Sequence, residues 1–192
     1  MEEDILTSYK IFCHDSSERI LKDVGHCVGT IHEEAGKTIK GLDYGCFIKA
    51  KGSTFTIDFS TFFSSDLAKS LAVRALPWEK EPPLEMAISL FEEYSNMMIA
   101  AIKKSLEQVD FLNLETPKLT KLKTNEVTLL GSVTKFQKKE RKALMRDSWR
   151  VSLENGCVFN HLKTEVLDFN KFSKGNFDSL AESNMGGQVI MI

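Results

Sequence analysis

The chain has 192 residues, the size of one domain and enough to bury a core without disulfide or metal staples. Hydrophobic residues make up 42% and charged residues 27%, a globular profile that excludes disordered and fibrous classes. The formal charge is −2, so the balance gives no global pull toward nucleic acid or an anionic membrane, and neither is expected as a partner.

In chain order, the first segment carries Ile5, Leu6, Tyr9, Phe12, Cys13, Ile20, Leu21 and Val24, spaced for one face of a helix that Asp15-Ser16-Ser17 would break. Gly25, Gly29, Gly36 and Gly41 mark a turn-rich stretch. From Gly45 to Phe59 alternation around Lys51-Gly52-Ser53 predicts a β-hairpin. Ser64-Ser65-Asp66 should cap a short helix that stops at Pro77. Glu79 to Pro83 is an acidic, proline-bounded connector leading into the strongest helical signal, Leu84 to about Val109.

After Thr116-Pro117 come strand-like pieces, Val127–Val133, Trp149–Leu153 and Cys157–Leu162, with Asn155-Gly156 as a hairpin turn between the last two. The stretch 135–150 holds seven Lys and Arg against Glu140 and Asp147 and reads as a solvated helix or long loop. The reading is one α+β domain over 1–170 and a polar tail over 171–192.

Little in the chain suggests a metal or a covalent nucleophile. Cys13, Cys27, Cys46 and Cys157 form no C-x-x-C pair and read as reduced, small core hydrophobes. His26, Cys27 and His32 lack the paired spacing of a zinc site. No phosphate-binding glycine loop or H-E-x-x-H motif occurs. The longest apolar run, Met97 to Ile102, is far below the roughly 20 residues that cross a bilayer. The acidic start Met1-Glu2-Glu3-Asp4 is unlike a signal peptide, so a cytoplasmic location is expected.

On a helical wheel the segment from Leu84 separates into two faces. Leu84, Ala87, Phe91, Tyr94, Met98, Ile102 and Val109 form a core stripe. Ser89, Glu93, Asn96 and Ala100 lie within about 60° of one another on the other side, with Met86, Leu90 and Met97 as an apolar shoulder. Glu93 and Asn96 therefore project side by side from an anchored rod. Asn is a poor mid-helix residue because its amide competes for backbone groups, and here it sits too far from the end to cap. An exposed acid and amide rimmed by flexible thioethers suit docking onto another protein.

These residues resemble a known family. Glu93-Tyr94-Ser95-Asn96-Met97, with Met86-Ala87-Ile88 upstream, is similar to the E-x-x-N-M helix of the CheC/CheX chemotaxis phosphatases. The strand Phe55 to Ser60, the helix start at Ser64-Ser65-Asp66 and the exit Leu114-Glu115-Thr116-Pro117 resemble the family in order and spacing. The likeness covers about residues 45–120 and is closer to CheX, since the first helix shows no second E-x-x-N.

The resemblance implies an α+β fold with two long helices packed across a mixed or antiparallel sheet. It also implies hydrolysis of the aspartyl phosphate of a CheY-like response regulator. Asn96 would orient the attacking water, and Glu93 would pair with a lysine of the regulator. Met86, Ser89, Leu90, Met97 and Ala100 would touch the partner. No cofactor of the chain's own is implied, Mg²⁺ being expected on the regulator. Ile99-Ala100 stand where the family usually carries Ala-Gly. That departure leaves open a non-catalytic CheX-like module that binds a receiver domain or a flagellar switch component. A homodimer joined through a sheet edge is a further expectation.

Overall fold

The structure is a computed structural model that describes residues 2–177 apart from 35 and 138. It opens on α1 (Glu2–Gly25), two short strands, β1 (Thr30–Glu33) and β2 (Thr38–Lys40), and the long hairpin β3 (Tyr44–Lys51) and β4 (Phe55–Phe63). Helices α2 (Ser65–Ala75) and α3 (Leu84–Ser105) follow, then the short strands β5 (Asn113–Leu114), β6 (Lys118–Lys121) and β7 (Glu126–Thr128). The chain continues through β8 (Val133–Gln137), β9 (Lys142–Leu153), β10 (Gly156–Val166) and the single-turn α4 (Phe169–Phe172).

The main sheet has eight strands in the order β1-β9-β10-β4-β3-β5, with β8 beside β9 and β6 beside β3. Every pair in it is antiparallel. Period-2 alternation decides its two faces. On β4, Phe55, Ile57, Phe59 and Phe63 are buried while Thr56, Asp58 and Ser60 are half-exposed. The apolar face is covered by the two long helices: α3 packs on β3 and β4, α1 packs on β9, and the helices pack on each other, with α2 against both. This is the expected α+β architecture of two long helices laid across a sheet. The separate β2–β7 ribbon covers one end of the opposite face through a second small core of Leu42, Phe62, Leu129 and Phe159.

Local signals were read correctly at several points. Ser64 is the N-cap of α2, its Oγ accepting from Leu67 N. The hairpin turns at Gly52-Ser53 and ahead of Gly156 close β3–β4 and β9–β10, and Gly156 takes a φ of 146° that L side chains avoid.

Four expectations are corrected. Helix α1 runs unbroken through Asp15-Ser16-Ser17, because the Ser17 hydroxyl donates to the His14 carbonyl at 2.7 Å and accepts from Trp149 Nε1 at 2.9 Å. A polar residue that would compete with the helix is thereby tied into it. The basic stretch 135–150 is sheet, the end of β8 and most of β9, and neither a helix nor a long loop. Its Lys and Arg alternate with the buried Ala143, Met145, Trp149 and Val151. Val127–Val133 is not one strand but parts of two, β7 and β8. The helical signal running to Val109 ends as α3 at Ser105. Beyond Asn170, Phe172 and Phe177 are still buried in the main core. The remainder of the tail expected over 171–192, residues 178–192, lies outside the described residues.

Candidate functional site

Helix α3 is held in place by the residues that alternate with its exposed stripe. Ala87, Phe91, Tyr94, Met98, Ile99 and Ile102 are each no more than 1% exposed. Phe91 stacks on Phe63 of β4 with ring centroids 3.6 Å apart and planes 8° from parallel. Tyr94 Oη donates to Asn160 Oδ1 on the central strand β10 at 3.1 Å, and Thr61 Oγ1 of β4 donates to the same oxygen at 3.1 Å. Burial pushes the Tyr94 phenol up, so it remains a donor. These contacts fix the roll of α3 about its axis.

With the roll fixed, Ser89, Glu93, Asn96 and Ala100 all face outward and are exposed. Among the described residues neither Glu93 nor Asn96 has a hydrogen-bond or ion-pair partner. Residues i and i+3 on a helix place their Cβ atoms about 5–6 Å apart. A carboxylate and a carboxamide thus stand side by side, both available to an incoming group.

The apolar shoulder divides. Met86 is 43% exposed in the first turn of α3, and Trp78, 64% exposed, lies in the connector just before it. Leu90 and Met97 are half-buried against the core and offer only their edges. Ile99 is fully buried in the core; 100° per residue carries its side chain away from the exposed stripe. Only Ala100 of the Ile99-Ala100 pair reaches the site's surface. Trp78 escaped the wheel because it precedes the helix, although an exposed Trp is itself an interface signal.

The chemistry available here is non-covalent. Burial pushes the thiols of Cys13, Cys27 and Cys46 up, away from the thiolate form that a nucleophile needs. Among the described residues no group of three His, Cys, Asp or Glu is placed to hold a metal ion. No helix among them is long and apolar enough to cross a membrane. An amide can both donate and accept toward a single water at any ordinary pH. A rigid helix locates such a group better than a loop does.

The most polar interior point lies elsewhere, under α1. Asp147 of β9 accepts from His14 Nε2 at 2.6 Å and from Ser132 Oγ at 2.5 Å, with Lys10 Nζ at 3.4 Å. Burial pushes its carboxyl up. The bonds from His14 and Ser132 and the charges of His14 and Lys10 outweigh that and hold it below the usual carboxylate range. These contacts tie α1 to β9.

No protein-family model matches the chain, and no curated protein matches it. Solved structures do. A CheC-like superfamily protein from Shewanella aligns with a TM-score of 0.61 and 18% identity, over 82% of this chain and 97% of that one. CheX from Vibrio vulnificus aligns at 0.61 and 17%, over 84% and 99%. The CheX–CheY–BeF3–Mg²⁺ complex from Borrelia burgdorferi contains a chain that aligns at 0.58 and 15%, over 82% and 97%. In each case nearly the whole of the other protein is matched. An antiparallel sheet under two long helices is the arrangement the sequence resemblance implied: the chain has the α+β fold of the CheC/CheX chemotaxis proteins.

Proposed function

We propose that this protein dephosphorylates the aspartyl phosphate of a CheY-like receiver domain, with Asn96 positioning the attacking water and Glu93 fixing the docking. The observation that supports the reading most is the outward presentation of Glu93 and Asn96, unpaired among the described residues, on a helix whose roll is pinned from beneath. Phosphoryl transfer leaves little covalent chemistry for a protein to assist, so alignment of water and phosphorus supplies most of the acceleration. A carboxamide on a rigid rod suits that task. The carboxylate beside it suits a lysine of the partner's site. The structurally similar CheX found in complex with CheY supports a receiver domain as the partner, and the proposal leaves Mg²⁺ to that partner. A cytoplasmic setting follows from such a substrate.

Met86 and Ser89 would contact the receiver at one end of the stripe and Ala100 at the other, with Leu90 and Met97 beneath. Ala100 adds one methyl to the surface the partner must approach, the feature that favours the alternative of a module that binds without accelerating hydrolysis. The test is phosphate release from a receiver domain charged with a small phosphodonor. Acceleration by the wild-type chain, abolished in Asn96→Ala, is the expected result; binding with no acceleration would establish the alternative. A homodimer through the free edges of the sheet is a separate proposal, and analytical ultracentrifugation decides it.

A further inference from the structure

The register of the sheet gathers much of the molecule's positive charge on the face away from the helices. One cross-strand row runs Lys49–Asp58–Lys163–Arg146–Val133, and the next runs Lys51–Thr56–Glu165–Leu144–Lys135. Lys118 of β6 stands beside Phe47 in the third row. Six cations, Lys49, Lys51, Lys118, Lys135, Lys163 and Arg146, thus share one face with three carboxylates, Asp58, Glu165 and Glu115 beside Lys49, in a chain whose total charge is −2. Lys49 pairs with Asp58 at 3.1 Å and Lys163 with Glu165 at 2.5 Å. Lys51, Lys118, Lys135 and Arg146 have no carboxylate partner among the described residues, and Arg146 Nε is buried with no acceptor. The β2–β7 ribbon covers only the neighbouring end of this face, over Phe62 and Phe159.

An antiparallel sheet may leave one face in water, and polar residues there need no further reason. Polarity does not explain the sign. Unpaired like charges on adjacent strands destabilise a sheet, and alternating Lys with Glu would solvate it at lower cost. We infer that this open face is a docking surface for an acidic surface of a second protein, on the side of the molecule opposite Glu93 and Asn96.

The occupant follows from charge and shape. Asp58 and Glu165 interrupt the cationic array and would repel a continuous phosphate chain, while a protein surface can place its own cations opposite them. Phe47 is the one aromatic in these three rows, 36% exposed and edge-on to Phe62, so there is no platform for stacking successive bases. Among the described residues Phe47 is the one exposed large apolar side chain in the rows, and lying edge-on to Phe62 it gives no apolar face to bury in a lipid layer. Five strands about 4.8 Å apart and three rows about 7 Å apart span roughly 500 Å². That is below the approximately 800 Å² per partner of a stable interface. The association is therefore transient, electrostatically steered and sensitive to salt. Because it uses the other side of the sheet, it is compatible with occupation of α3.

The experiment uses a fluorescent poly-L-glutamate peptide as the probe, with polyuridylate and phosphatidylserine vesicles as competing polyanions. Fluorescence anisotropy at 50 mM salt should show the peptide binding the wild-type chain, with at least tenfold weaker binding at 200 mM. Lys51→Glu, Lys118→Glu and Lys135→Glu together should abolish it. The same charge change at Lys22, Lys69 and Lys104, which lie on helices, should leave it unchanged. The neutral triple Lys51→Gln, Lys118→Gln, Lys135→Gln repeats the loss without charge reversal should the first variant misfold by circular dichroism. Absence of binding at 50 mM salt, equal loss in the helix-side variant, or tighter binding of polyuridylate or vesicles than of the peptide overturns the assignment.

Discussion

At the scale of single residues, two carboxylates show how environment sets role. Glu93 is exposed, with no partner among the described residues, and is available to another molecule. Asp147 has a side chain 2% exposed and is held ionised by His14, Ser132 and Lys10. Removing one partner of a buried ion pair leaves the others uncompensated, so Asp147→Ala should cost about 3 kcal/mol in chemical denaturation. Its folded-state pKa lies below that of the unfolded chain. Its contribution is therefore complete above about pH 4 and disappears as pH falls through the lower folded value. In Asp147→Asn the acid limb of the stability profile below pH 4 should be shallower than in wild type. Glu93→Ala should leave stability unchanged within about 0.5 kcal/mol, as expected of an exposed site. The same change should weaken receiver binding about tenfold, or approximately 1.4 kcal/mol.

At the scale of elements, α3 was the most legible part of the sequence because its apolar residues recur at helical spacing from Ala87 to Ile102 and leave one polar stripe over. The wheel gave the roll of that helix, but not the contact that pins it. That contact is Tyr94 meeting Asn160, residues 66 apart in sequence, and a wheel carries no information about a partner strand. Tyr94→Phe keeps the packing and removes one hydrogen bond, so thermal denaturation should show a loss of about 1 kcal/mol. If the bond also sets the aim of Asn96, dephosphorylation should slow in this variant with little change in receiver affinity. The β8–β9 hairpin was misread for the converse reason. Ala143, Met145, Trp149 and Val151 do alternate, but Asp147 occupies a core-facing position among them and Lys and Arg fill the other face, so charge density masked the period. Asp147 is tolerated there only because α1 brings His14 and Lys10 to it, a contact no local window shows. The same contact region straightens α1 across Asp15-Ser16-Ser17, where a break was expected.

At the scale of the whole molecule, the sheet separates two surfaces: a helical side with an acid and an amide exposed on α3, and a basic open side. His161 lies on the latter, its Nδ1–H donating to Ser148 Oγ at 2.8 Å while that hydroxyl donates to the Leu130 carbonyl at 2.8 Å. Burial, reinforced by the charge of Arg146, lowers its pKa. The unfolded chain therefore takes up a proton near pH 6.5 before the folded one does. Stability should be full above that pH and decline as pH falls toward the lower folded value. His161→Asn, whose amide can replace the Nδ1 donor, should flatten the profile between pH 7 and 5 in urea titrations.

The most direct measurement of the central claim is the decay of a phosphorylated receiver domain as a function of the concentration of this protein, resolved into kcat and KM for wild type and Asn96→Ala. A saturable acceleration is expected, with kcat falling by about 100-fold in the variant and KM changing less than about threefold, the pattern of a group that acts on the reacting water and not on docking. Equal kcat in the two proteins would contradict the account.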